Sequence, residues 1–575
     1  MFIITTLIAS SLVTADVRIE QLLPENAIAF ATVEDVSSLV SQMQQMGVCD
    51  AFCDIAALIW DAGDADLSTF FGTDGECTIP NGQASWGLYP VVDFELGSVG
   101  LGMFAMLEAD DPALSRNIMQ ALKKFDEANE NEMELIDIGG RDVWSMQADF
   151  DLSIDALPIP IDLGRLSNIY FASTDGYILF GTESEGFSTL FSIIDGDATD
   201  DSLASNEVYE ELMARCGTKG ESYAGVLLTN LSDALMQMDT SGMGMMIMPM
   251  IKSLFGDIHG IAQTVTFAPS DDVLLTGTYA ILMPNGRDGL TGLFVSDASA
   301  VEIPSFVGDD TITYLQNSIA FDKVIPLIKD ITASNPLLAM QLTPQIMEQM
   351  EMGVSLYLAT LGSETHFMTT GTEPYTADSD GYMIAVECIN EDALSNVLSM
   401  TMPSFGASPT DFLGNQIFTV DLGGGMMIPI PMDLSFSIAV GGGYVFIGSQ
   451  FSVENALRAV ANPKDAKSNH GLNAAASMIK HETVSGWGYG DMGKSMQMQK
   501  AVSNSMLGMN EEMLNEIEAF DPEMAAEMRA ESESNLETQN AILDAMVKTF
   551  GSMAWNINAD DTGFMSSVIL MKSGK

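Results

Sequence analysis

Short runs of alternating apolar and polar residues recur along the chain, and most lead straight into a segment whose apolar residues fall at helical spacing. The first run covers residues 22–33. Glu34 and Asp35 then supply helix-starting acids, and Val36, Leu39, Val40 and Met43 mark one helix face. The same strand–helix unit is predicted at 103–108, where Asp111 caps and Pro112 takes the first helical position. It returns at 177–182 before a helix over 185–194, and at 223–230, where Ser232 and Asp233 open the helix. Four further units follow: 311–321 into 324–331, 382–388 into a helix from Glu391, 444–449 into 453–460, and 484–491 into a helix from about Gly493. Each set of four closes with a hairpin, 265–282 around Asp272 and 554–570 around Asp561.

One stretch is written twice. Residues 140–146, the Pro-Ile-Pro-Ile-Asp-Leu run ending at Leu163, and Gly176-Tyr-Ile-Leu-Phe-Gly181 form the first copy. Residues 414–420, Pro-Ile-Pro-Met-Asp-Leu ending at Leu434, and Gly443-Tyr-Val-Phe-Ile-Gly448 form the second. The offset is roughly 270 residues throughout, the scale of a duplicated domain rather than a solenoid. The pattern predicts an α+β fold of two homologous domains, 16–298 and 299–575, joined near 296–304. Each is expected to be a broad, largely antiparallel sheet with helices packed on one face. Before its last hairpin the second half adds a helical insertion at about 493–550. Asp521, Pro522 and Glu523 form a capped start there, and Met524, Met528, Leu536, Ile542, Leu543, Met546 and Phe550 an apolar stripe, in a helix about 45 Å long at 1.5 Å per residue. The first half has only the Met-rich segment 236–255 at that point.

Composition narrows the function classes. Of 575 residues 47% are hydrophobic, enough for sizeable cores, while 80 acidic residues against 22 basic ones leave a formal net charge of -58. Such a surface repels nucleic-acid phosphate and anionic lipid, so no nucleic-acid partner is expected. Residues 2–13 form an apolar run broken only by Thr and Ser, and Val13-Thr14-Ala15 fits a small-x-small cleavage site. Residues 1–15 are therefore expected to be a signal peptide cleaved after Ala15, although no Lys or Arg precedes the run. No later stretch reaches the length of about 20 apolar residues that a transmembrane segment takes. Export to periplasm or medium permits disulfides, and an odd count leaves at least one of Cys49, Cys53, Cys77, Cys216 and Cys388 unpaired; a bridge among the first three is favoured.

Candidate chemistry is sparse. Residues 488–495, Gly-Tyr-Gly-Asp-Met-Gly-Lys-Ser, fit a phosphate-binding loop in which backbone amides cradle phosphate and Lys494 meets the terminal groups. The matching first-half stretch from Gly225 to Asn230 reads as a plain strand, so Gly488 and Gly490 are expected inside a strand. Asp195, Asp197, Asp200 and Asp201 are spaced like the oxygen ligands of a calcium loop, the one metal reading carried forward. The sixth position there is not Gly and the twelfth is Asn206, which favours a solvated acidic turn; Asp61, Asp64 and Asp66 repeat the case more weakly. The 41 methionines, crowded at 243–250, favour core packing in place of Leu, then contact with an apolar ligand, then copper(I). His259, His366, His470 and His481 stand apart without metal-ligand spacing, and no Gly-x-Ser-x-Gly elbow is present. No catalytic set converges, so neither an enzyme nor a cofactor beyond calcium is expected.

The stretch from Leu22 to Val33, with Asp35 starting a helix, and the Gly-Tyr-x-x-x-Gly strands at 176–181 and 443–448 resemble a family of exported bacterial proteins of unknown function, frequent in planctomycetes and cyanobacteria. The resemblance covers most of the mature chain and implies no activity and no site residue. The expectation is an exported, non-catalytic binding or structural protein of the cell envelope, with an unknown protein or an apolar ligand as partner. The alternative is a periplasmic carrier or chaperone for an apolar, lipid-like ligand, which requires an apolar cavity lined by residues 243–250 or 524–550.

Overall fold

A computed structural model describes residues 18–45, 82–93, 98–108, 116, 120, 133–154, 161–174, 176–195, 202–217, 220–238, 244–270, 272–295, 301–334, 344–376, 379–421, 435–463, 469–479, 484–518 and 522–574. The chain divides into two compact units. One is Met1–Pro249 with Asp257–Asp271 and Leu275–Asn285; the other is Gly286–Lys575 with Met250–Gly256 and Asp272–Leu274. The division falls near residue 286, ahead of the join expected at 296–304.

In the first unit, β1 (Ala29–Val33), β2 (Ala84–Asp93), β3 (Ser98–Glu108), β4 (Glu134–Ile138), β5 (Arg141–Ile154), β6 (Ile161–Thr174), β7 (Tyr177–Gly181), β8 (Ser222–Leu227), β9 (Gly260–Ser270) and β10 (Val273–Leu282) build a largely antiparallel sheet. Its order is β10-β9-β8-β1-β2-β3-β7-β6-β5-β4. In the second, β11 (Thr311–Ser318), β12 (Leu361–Gly371), β13 (Asp380–Cys388), β14 (Ser408–Phe412), β15 (Asn415–Asp421), β16 (Ser435–Gly441), β17 (Tyr444–Gly448), β18 (Gly486–Asp491), β19 (Phe550–Asp560) and β20 (Gly563–Lys572) do the same. The order is β20-β19-β18-β11-β12-β13-β17-β16-β15-β14, so strand for strand the two sheets follow one connectivity.

Helices of the first unit's chain are α1 (Ile19–Leu22), α2 (Val36–Gln45), α3 (Ser184–Ile194), α4 (Glu207–Cys216), α5 (Leu228–Met238) and α6 (Gly244–Phe255). Those that follow are α7 (Val324–Ser334), α8 (Pro344–Leu358), α9 (Glu391–Thr401), α10 (Gln450–Ala461), α11 (His470–Ile479), α12 (Met492–Glu518) and α13 (Pro522–Thr549). Their starts are set by side-chain oxygens that take up orphan backbone amides. Asp35 accepts from Ser38 N (2.9 Å), Asn206 from Val208 N and Tyr209 N, Asn390 from Ala393 N (3.0 Å) and Asn469 from Leu472 N (3.0 Å). α5 starts at Leu228, earlier than the Ser232 start that the sequence suggests, because β8 stops where its pairing with β1 and β9 ends. The start at Asp111 and Pro112 lies outside the described residues.

The expectation of helices on one face needs correction for the second unit. Met383 and Ala385 of β13, Ile417, Ala439 and Phe446 pack with Val453 and Leu457 of α10 and Leu472 of α11. Their strand neighbours Val386, Phe418, Val440 and Val445 point the other way and pack with Leu394 and Leu398 of α9. Both faces of these strands are thus covered. The physical reason is their sequence: Tyr-Val-Phe-Ile in β17 and Phe-Ser-Ile-Ala-Val in β16 are nearly continuous apolar runs, which a one-sided sheet leaves half exposed.

Two features separate the units. At the turn between β4 and β5, Gly139 and Gly140 both hold positive φ, and the Arg141 guanidinium lies 4.8 Å from the ring of Phe191 on α3. At the turn between β14 and β15, Leu413 and Gly414 hold positive φ, and the Arg458 guanidinium of α10 lies 4.8 Å from the ring of Phe412. Phe191 and Arg458 stand equally far past the closing glycine of the Gly-Tyr-x-x-x-Gly strand, so the cation–π pair recurs with its partners exchanged. The second feature is the insertion. It consists of two antiparallel helices: α12 has 27 residues and α13 has 28, each about 40 Å long. Lys500–Asp544 (2.6 Å), Asn540–Asn504 (3.2 Å) and Arg529–Glu518 (3.1 Å) tie them along their length, with Leu514, Ala525 and Leu543 buried. At the corresponding place between β8 and β9 stand α5 and α6, with 11 and 12 residues. Among the described residues no helix is long and apolar enough to cross a membrane.

Candidate functional site

Gly488 lies inside β18, opposite Leu315 of β11 and Trp555 of β19. A Cβ there would overlap the Trp555 indole, so the glycine serves close packing of an aromatic ring, and its neighbours are ladder residues. The phosphate-loop geometry is therefore not formed. Lys494 still occupies a notable place. It sits in the first turn of α12, where its backbone N–H donates to Asp491 Oδ1 (2.9 Å), the cap of that helix. Its ammonium donates to Asp309 O (3.3 Å) and lies 3.6 Å from Asp491 Oδ2.

Lys494 lines an open cleft of about 880 Å³ in the second unit, together with Asp309, Asp310, Glu373, Tyr375 and Arg458. Phe306, Leu413 and Ala459 supply apolar wall. A neighbouring cleft of about 440 Å³ shares Asp309 and Lys494 and adds His470, Tyr489 and Asp491. The segment before β11 brings the two aspartates, the end of β12 brings Glu373, α10 brings Arg458 and α12 brings Lys494. These residues are scattered over the sequence, and only the sheet order gathers them. Arg458 is held by Asn455 Oδ1 (2.7 Å) and Glu454 Oε2 (3.0 Å) and stacks on Phe412. Burial, then the Glu373 and Asp491 carboxylates, push the Tyr375 hydroxyl up to about 12, so it stays a neutral donor. Burial and Asp491 push Tyr489 the same way.

At the matching places the first unit lacks both cations. By strand pairing and facing, Gly225 stands where Tyr489 does, so Lys494 corresponds to Asn230 and Asp491 to Leu227; Arg458 corresponds to Phe191; and Leu413 corresponds to Gly139. Leu413 holds φ 54°, a left-handed conformation that costs a non-glycine residue about 1–2 kcal/mol. Backbone strain of this kind concentrates at functional sites.

Behind Phe306 lies a buried polar chain. Tyr314 and His366 are both fully buried, and Tyr314 Oη is 2.8 Å from His366 Nδ1. His366 Nε2 lies 2.8 Å from Glu364 Oε1, an ion-pair distance without hydrogen-bond alignment. Its interaction with His366 holds the Glu364 carboxyl below its ordinary range against the opposing effect of burial. Trp487 Nε1 donates to Gln316 Oε1 (2.6 Å), whose amide reaches back to Glu364. Phe306 meets the His366 ring edge-on at 5.3 Å and so separates this chain from the cleft. Register and facing place Ser85 where His366 stands and Phe30 where Tyr314 stands, so the first unit lacks it.

The remaining candidates are dispersed. The Asp195 carboxylate pairs with Arg141 (2.7 Å), while Asp197, Asp200 and Asp201, like Asp61, Asp64 and Asp66, lie outside the described residues. Among the described residues no three His, Cys, Asp or Glu side chains gather as a metal site. Cys216 and Cys388 are free and buried; Cys49, Cys53 and Cys77 lie outside the described residues, as does His481. His259 pairs with Asp257 (3.1 Å). Met524 and Met528 are exposed and line none of the three cavities. An apolar groove of about 700 Å³ does exist, but between α7 and α8, where Ile319, Phe321, Ile325, Leu358 and Leu361 line it and Lys329–Glu351 (2.7 Å) bridges it. Sequence reading passed over Arg458, Glu373 and Tyr375. Charge stands at 458 and 494 where the first half has Phe191 and Asn230, a signal that the two halves carry in their sequences.

Comparison with protein-family models, with curated proteins and with solved structures finds no match for this chain.

Proposed function

We propose that the protein is an exported, non-catalytic binding protein made of two duplicated α+β domains, in which the second domain carries the ligand cleft and the first serves as framework. One observation carries this reading. Arg458, Lys494 and the strained Leu413 converge on one cleft, while Phe191, Asn230 and Gly139 hold the matching positions of the first unit. Placing charge and backbone strain where a sister copy keeps uncharged side chains and glycine costs stability, and a binding site is the ordinary return. The cations are matched by neighbouring carboxylates and carbonyls, which suits ligand recognition better than proton transfer. The apolar start of the chain, with its small-x-small step at Ala15, supports export.

Native mass spectrometry of protein taken from the exported fraction tests the proposal. A bound mass that disappears on denaturation, and is missing from the Arg458→Phe/Lys494→Leu variant, is expected. A bare mass, together with no thermal shift on adding a pooled small-molecule extract, would sink it. The same spectrum shows whether residues 1–15 are present. A second reading, a carrier for an apolar ligand, is favoured by the groove between α7 and α8; there Ile325→Asp should abolish a lipid-like adduct.

A further inference from the structure

We infer that the cleft takes a small zwitterion, a free amino acid or short peptide, whose carboxylate meets Arg458 and Lys494 and whose ammonium meets Glu373 and Asp310. The inference rests on the binding reading above and adds the ligand class.

Charge decides the class. With a net charge of -58, the chain presents carboxylates almost everywhere, so a ligand that is only a cation gains little from this place over any other. Two cations lining one cavity are the distinguishing feature. A ligand that is only an anion would have to approach through the field of the whole protein and then sit beside Asp309, Asp310, Glu373 and Asp491. A zwitterion carries no net charge and meets no such barrier. Once inside, it finds both signs close together, as the Lys494–Asp491 ion pair at 3.6 Å shows.

Donor capacity agrees. A guanidinium has five N–H donors, and Arg458 spends one each on Asn455 and Glu454, so donors are left for a ligand carboxylate. The Lys494 ammonium has three and is directed at Asp309 O and Asp491. Tyr375 adds a hydroxyl donor, and Phe306, Leu413 and Ala459 offer apolar wall for a side chain. A volume of about 880 Å³ lies within the range of small-ligand sites and holds an amino acid or a short peptide.

The test is calorimetric titration of the full-length exported protein at low ionic strength. The probes are tri-alanine, alanine, glutamate, lysine, N-acetyl-tri-alanine amide, sulfate and spermidine. Tri-alanine is expected to bind, the blocked peptide at least about ten-fold more weakly, sulfate not measurably, and spermidine no differently from its binding to the Arg458→Phe/Lys494→Leu variant. In the Arg458→Phe/Lys494→Leu variant the Phe copies the residue that the first unit holds there and the Leu replaces a partly exposed side chain of the cleft wall, so it should fold, as circular dichroism verifies, and should lose at least about ten-fold in tri-alanine affinity. Equal binding of the blocked peptide, or binding of sulfate alone, overturns the zwitterion while leaving a binding cleft in place. Tri-alanine binding untouched by the double variant places the site elsewhere and overturns the assignment to this cleft. If none of tri-alanine, alanine, glutamate and lysine binds, the inference fails, and the mass spectrum of the exported protein judges the binding reading separately.

Discussion

Removing one oxygen from the core of the second unit, by Tyr314→Phe, leaves the His366 Nδ1 without its partner at 2.8 Å. Both side chains are fully buried, so water cannot replace the lost hydroxyl. The cost of leaving one such group unsatisfied is about 1–3 kcal/mol, far above what the missing atom's packing contributes. His366→Phe strands the Tyr314 hydroxyl in turn and should cost a similar amount. Replacing both removes the demand from each side, so the double variant should be less destabilised than the sum of the two singles, with a coupling of roughly 0.5–3 kcal/mol. Urea unfolding followed by tryptophan fluorescence reads this directly, since Trp487 sits 5.0 Å from Tyr314 between ring centroids. Additive single effects, or a Tyr314→Phe midpoint shift below about 0.5 kcal/mol, would refute the claim that the pair is a coupled buried hydrogen bond.

Further predictions follow from the same geometry. Glu364 has a lowered native pKa, so its contribution is present above its ordinary value of 4.5 and is lost as pH falls through the lowered one; Glu364→Gln should flatten the acid limb of the second unit's unfolding midpoint, and an unchanged slope would discount the His366 contact. Leu413→Gly relieves the left-handed strain and should stabilise by up to about 1 kcal/mol in thermal melts while weakening whatever the cleft binds. Gly488→Val should destabilise the second unit by about 1–3 kcal/mol through overlap with Trp555, whereas a phosphate loop would lose nucleotide affinity and keep its fold. Replacing residues 505–539 by a short Gly-Ser turn should cut helical circular dichroism yet leave both unfolding midpoints in place, because α5 and α6 manage with 11 and 12 residues.

The broad sheets and most strand–helix steps were legible because each strand carries its own pattern. The step from β18 into α12 falls where the apolar period changes from two to nearly four, and the hairpin around Asp272 where turn residues separate two alternating runs. Helices on both faces were not anticipated, because alternation was sought where β13, β16 and β17 run nearly continuously apolar. The starts of α12 and α13 were legible at about Gly493 and at the Asp521 cap, but their antiparallel pairing rests on contacts between residues far apart in sequence, such as Lys500 and Asp544. The cleft was illegible for a different reason. Asp309, Glu373, Arg458 and Lys494 are each ordinary surface charges in sequence, and their meeting depends on β11, β12 and β18 being neighbours and on where α10 and α12 begin. His366 looked solitary because its partner Tyr314 lies on another strand.

The exchanged cation–π pairs limit how the two halves can be recombined. Grafting α3 into the second unit would set Phe191 beside Phe412, two rings that can stack. Grafting α10 into the first would set Arg458, still tied to Glu454, beside Arg141, two like charges with no ring between them. Chimaeras are therefore directional: one swap is permissive and the reverse is not. A mutational path between the two arrangements has to install the second aromatic ring before it moves the guanidinium, so the order of steps is fixed by electrostatics.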